Sequence, residues 1–237
     1  DRSYDELIVD LGRFVVAQQE PTGALLAFWD PQTQSPVPGR YGQFATGEAF
    51  WALVRLDMTF PDSGFAASKW LSADYIATSR DKAEGYQWRQ PDHWAAYAFA
   101  DLSRDEVLSE SHIAYLRSQA GDFGLMTRYE SQRTNADWNQ LVRGHQALGA
   151  GVGAMGEGLH GLLRVSQRDA RMADLVKPLQ RHLACTTDLL VNRQSRSLDP
   201  AARGAWFSDA VTQVDDQQHT MSALLLYSEV LAEEADE

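Results

Sequence analysis

Apolar side chains recur along this chain with the period of an α-helix rather than of a strand. Over residues 4–18, Leu7, Ile8, Leu11, Phe14 and Val15 fall at i, i+1, i+4, i+7 and i+8, one face of a helix, with Ser3 and Glu6 placed as a capping box. The same period marks 46–58 through Phe50, Leu53 and Val54, and 64–80 through Phe65, Trp70, Leu71 and Tyr75. It marks 104–119 through Val107, Leu108, Ile113, Tyr115 and Leu116. A short aromatic helix over 92–102, a Gly-rich one over 144–167 (or two), and one over 169–193 kinked or split by Pro178 follow. Residues 216–232, with Met221, Leu224, Leu225, Tyr227 and Leu231, bring the total to about eight helices. Strand-like alternation is confined to Ala24–Trp29, which predicts at most a small hairpin.

The expected connections alternate in length. Short links fall near 59–63, 103–104 and 167–169, and long ones at 19–45, 81–91, 120–143 and 194–215. Short links join antiparallel neighbours, so the chain reads as an all-α array of about four helical hairpins. If the helices alternate in direction, every long loop lies on one face.

An internal repeat runs through this frame. Gly47-Glu48-Ala49-Phe50-Trp51-Ala52-Leu53 aligns with Gly156-Glu157-Gly158-Leu159-His160-Gly161-Leu162. His93–Phe99 and Gln218–Leu224 fit the same pattern, and the four starts are 46, 63 and 62 residues apart. Any helix that begins with small residues would look similar, so the second pair is weak without the first.

Repeated helix pairs, with small-residue inner helices entered from long loops, resemble the α/α-toroid superfamily. That group holds six-hairpin glycosidases, polysaccharide lyases, sugar epimerases, prenyltransferases and terpene cyclases. The resemblance covers nearly the whole chain and is architectural. It implies a toroid-like fold, a glycan as the ligand, and carboxylate acid/base chemistry at the inner helix starts. The cyclase branch is the least favoured, because Gln213 precedes Val214-Asp215-Asp216 where that branch has an acid, and QxxxGxW repeats are missing. A closed six-hairpin toroid needs more helices than four hairpins supply. A partial toroid is therefore expected, as a mature or excised piece of something longer.

Composition narrows the function. The formal charge of −12 argues against general nucleic-acid binding, where neutralised phosphates supply most of the affinity. A single cysteine, Cys185, makes no internal disulfide and no thiolate zinc site. No run of apolar residues is long enough to span a bilayer, so any membrane anchor would lie outside this chain. The lone cysteine suits a cytosolic protein and equally a disulfide-free secreted one; the resemblance favours an extracytoplasmic or periplasmic envelope protein.

The candidate chemistry gathers at the long loops. Each holds one tryptophan: Trp29, Trp88, Trp138 and Trp206. With Tyr41, Arg89 and Arg143 these are the candidate substrate-binding residues, since aromatic faces in polar loops stack on sugar rings and arginine matches a planar anion. Each tryptophan alone reads equally as an anchor holding its loop to the helix ends, and each arginine as the partner of a loop acid. Glu48, Asp92, Glu157 and Asp216 lie close to the inner helix starts, where a carboxylate is either a cap or one of the acid/base pair that glycoside cleavage requires. His219 is a candidate general base near neutral pH. Asp216 and His219 stand at i, i+3, but two ligands are too few for a metal, and neither metal nor organic cofactor is expected. A glycan or other polar ligand is the expected partner. A non-catalytic glycan-, peptide- or partner-binding module is the alternative, and the sequence leaves the oligomeric state open.

Overall fold

The computed structural model describes residues 2–85, 91–147, 149–207 and 211–236. Trp88 and Arg89 lie outside the described residues. The fold is all-α, with ten α-helices and one two-stranded ribbon among the described residues. It forms two compact units, Asp1–Gln119 and Ala120–Glu237.

The first unit opens with α1 (Asp5–Ala17). Tyr4 rather than Ser3 is the residue ahead of this helix, and it makes no side-chain cap. The predicted hairpin is smaller and later than expected. Strand β1 (Trp29–Asp30) pairs antiparallel with β2 (Ser35–Pro36), and Leu25 makes only a lone bridge to Gln19. Helices α2 (Ala45–Thr59), α3 (Ala66–Thr78), the single turn α4 (Arg80–Ala83) and α5 (His93–Leu102) follow.

α2 packs on α5, α3 and α1. Phe50, Leu53 and Val54 of α2 are fully buried, and Phe50 meets Phe99 of α5 edge-on at 5.1 Å between ring centres. Ala95, Ala96, Ala98 and Ala100 of α5 are buried as well, and their small side chains let the two helices approach closely.

The unit boundary falls inside α6 (Glu110–Glu130). This helix corrects the expectation of a long loop over 120–143. It continues to Glu130, and α7 (Asp137–Arg143) follows after a six-residue link.

The second unit is built on α8 (Ala150–Arg168), which packs on α9 (Val176–Arg193), α10 (Val214–Asp236) and the 3-10 turn Ala170–Leu175. Pro178 does not break α9. It sits in the first helical turn, where the N–H it lacks would have had no partner. Near the end of α10, Glu233 accepts from Arg164 at 2.9 Å and Glu234 from Gln180 at 2.7 Å. No helix among the described residues is long and apolar enough to cross a membrane.

Candidate functional site

The second unit brings two of the candidate residues together. Glycines make one side of α8 flat, and α10 lies directly on it. A Cβ at Gly153 would stand 2.5 Å from the carbonyl carbon of His219, and one at Gly156 would stand 2.7 Å from the Cβ of Ala223. Backbones this close carry His219 against Glu157, with Nδ1 2.6 Å from the Glu157 carboxylate. Both side chains are buried. On the other edge of the ring, Nε2 lies 3.4 Å from Asp215, whose side chain is 63% exposed.

Imidazole is thus held between a buried carboxylate and an exposed one. With Nδ1–H donated to Glu157, the neutral ring turns its Nε2 lone pair outward. The protonated ring has an acceptor for each N–H. An imidazole oriented in this way, with a carboxylate beside each nitrogen, can take up and return a proton.

His160, one turn beyond Glu157 on α8, is also buried. Its Nε2 accepts from Arg164 Nε at 3.1 Å, while Nδ1 has no hydrogen-bond partner. Burial, with Arg164 adding to it, pulls its pKa down to about 4, so the ring is neutral at physiological pH.

Asp216 does a different job from its neighbour. Oδ1 accepts from the Ala150 N–H and Oδ2 from the Gln213 N–H, each at 3.1 Å. It closes the start of α8 against Gly149, whose φ of +52° suits a glycine. It shares no ligand position with His219. Trp206 is an anchor: it is buried, and Nε1 donates to the Leu190 carbonyl at 2.8 Å. Trp138 stands exposed on α7. Arg143 donates to Gln132 at 2.6 Å, while its carbonyl accepts from Arg133 at 2.9 Å. Glu130, which the sequence did not single out, is buried and accepts from Arg193 at 2.6 Å, the Ala147 N–H at 2.7 Å and Arg133 at 2.9 Å.

In the first unit Asp92 is buried and fully engaged. One oxygen caps α5 by accepting from the Ala95 N–H at 3.1 Å, and the other accepts from Arg80, which also donates to Tyr115. Gly47 leaves it room, since a Cβ there would overlap the carboxylate. Glu48 is exposed at the edge of an apolar groove of about 560 Å³ lined by Ile8, Leu11, Trp51 and Trp94. Trp29 packs on Phe14 at 5.0 Å and holds the ribbon down.

Tyr41 lines a second, smaller pocket of about 200 Å³ together with Gly42, Gln43, Glu84 and Gly85. No pattern in the sequence singles out Glu84. Burial pushes its carboxyl above the usual range, while Thr46, donating at 2.8 Å, works against that shift. Only its surroundings distinguish it from the other charges of 80–84. The chain matches no family model, and neither a curated protein nor a solved structure proves similar to it.

Proposed function

We infer that this chain is a carbohydrate-active domain of α/α-toroid type, and that His219, oriented by Glu157, is its acid/base group. One observation carries the reading: the buried 2.6 Å contact between His219 and Glu157 fixes one ring nitrogen, while the other faces exposed Asp215. Breaking or inverting a centre beside a uronate or glycosidic carbon needs a proton taken and returned near neutral pH, which imidazole does well. Asp92 and Asp216 serve as caps in this reading, so it departs from a pair of facing carboxylates. Exposed Trp138, in the same unit as His219, is the aromatic face on which a sugar ring would stack. Placement in the cell envelope, outside the cytoplasm, accompanies the proposal.

The test is incubation of the purified chain with a panel of neutral and uronate-containing polysaccharides in deuterated water. Release of reducing ends and uptake of solvent deuterium into the sugar would be followed. Turnover is expected, and His219→Ala should lower it at least a hundredfold, the scale of a lost general base. Turnover unchanged in that variant, or absent on every substrate, would sink the reading.

A second reading is a non-catalytic module. The observation in its favour is the apolar groove of the first unit, beside which Leu7, Leu11 and Phe14 of α1 are exposed. Binding of a glycan or peptide without turnover, undiminished in His219→Ala, would support it.

A further inference from the structure

The pocket beside Tyr41 has a chemistry of its own, independent of His219. Its lining residues are Tyr41, Gly42, Gln43, Glu84 and Gly85, and none of them is a cation. One Glu84 oxygen accepts from Thr46, and Tyr75 lies beside the same carboxyl. Behind the pocket wall, the Tyr41 hydroxyl donates to Glu20 at 3.2 Å. Arg80, whose charge acts on Glu84, is buried and already committed to Asp92, Asp81 and Tyr115.

We propose that this pocket binds the primary ammonium group of a small organic ligand, with Glu84 as its counter-ion and the Tyr41 ring as one wall.

The electrostatics point the same way. Burial, followed by the charges of Glu20 and Glu84, raises the Tyr41 phenol, and burial followed by Glu84 raises the Tyr75 phenol well beyond its ordinary range. With the upward shift of Glu84, all three groups resist further negative charge, so a cationic ligand is favoured there over an anionic one. A hard metal ion is a poorer fit, because calcium takes about six to eight oxygens and magnesium a near-ideal octahedron. An ammonium needs only two or three acceptors, and the Glu84 carboxylate supplies the charged one. The volume suits a ligand no larger than a hexosamine.

Protonating Glu84 removes the counter-charge, and burial makes that happen at a higher pH than for an exposed glutamate. Arg80 keeps its charge throughout, and Glu20, Asp81 and Asp92 remain as the surrounding acids. Affinity should therefore fall as the solution is acidified.

The experiment titrates the full chain with ethanolamine, putrescine and glucosamine, each beside its neutral counterpart ethylene glycol, butanediol or glucose. Amide shifts of Gly42 and Gly85 report occupancy. At least one amine is expected to bind tenfold or more tighter than its counterpart. Glu84→Gln should weaken that binding at least tenfold with the Tm little changed, and His219→Ala should leave it intact. Should Glu84→Gln fail to fold, loss of binding by the unaltered chain on acidification, and its weakening in Glu20→Gln, serve instead. The proposal is overturned if no amine moves those amides, if the neutral counterpart binds equally, or if removing the Glu84 charge changes nothing.

Discussion

Gly153 of α8 lies against the backbone of His219 in α10, so close that a Cβ on the glycine would stand 2.5 Å from the histidine carbonyl carbon. The spacing of the two helices, and with it the reach of His219 to Glu157, is set by a missing side chain. Gly153→Ala must push α10 outward, at a cost of about 1–3 kcal/mol typical of overpacked cores. Gly121 on exposed α6 is the contrast. A Cβ there meets nothing within 4 Å, and Gly121→Ala should stabilise by about 0.5–1 kcal/mol through helix propensity alone. Denaturant unfolding of the two variants should move in opposite directions.

Removing the partner of the buried imidazole is expected to be severe. Glu157→Ala leaves His219 buried without its acceptor and should cost about 3 kcal/mol or more if the pair is charged. Glu157→Gln keeps a hydrogen-bonding group of the same shape and should cost clearly less. Equal stability of wild type and Glu157→Ala in thermal melts would show that the contact contributes nothing.

Asp92 separates capping from pairing. Asp92→Asn retains an oxygen for the Ala95 N–H but loses the charge facing Arg80, whereas Asp92→Ala loses both. The alanine variant should be the less stable by about 1 kcal/mol, the usual worth of an N-cap. Chemical denaturation of the pair measures that difference directly.

His160 predicts a pH dependence. Folded, it stays neutral down to about pH 4, while in the unfolded chain it titrates at its ordinary 6.5. Between those values the unfolded state takes up a proton that the folded state refuses. Stability is therefore full above about pH 6.5 and declines as pH falls towards 4, by up to about 3 kcal/mol. His112 and His182, lowered by burial as well, add to the same slope. The Tm of His160→Gln minus that of the wild type, followed across this window, should rise on acidification; a constant difference would refute the assignment.

Periodicity located the helices well wherever one face is apolar. Residues 4–18 were expected and α1 spans Asp5–Ala17; residues 46–58 were expected and α2 spans Ala45–Thr59. It failed over 120–130, where Gly121, Asp122 and Gly124 read as loop. There the helix is held by single buried contacts, Thr127 to Thr186 at 3.1 Å and Glu130 to Arg193, which leave no periodic trace. The Glu157–His219 pair was legible as two repeat positions but not as a contact, since 62 residues separate them. Glu84 carried no signal at all, because burial alone sets it apart from Asp81 and Glu20. The glycines told most: Gly149, Gly153 and Gly156 mark the side of α8 that α10 covers.

α8 is enclosed almost from end to end, with Val152, Gly153, Met155 through Leu163, Val165 and Ser166 all buried. Amide protons in such a helix meet solvent only when the whole unit opens. Deuterium should therefore reach the backbone N–H of Glu157 on the slow timescale of global unfolding, while Asp215, exposed beside the His219 ring, offers protons a route that needs no such opening. One residue pair would then carry two clocks, its backbone timing the life of the fold and its side chains the traffic of protons through it.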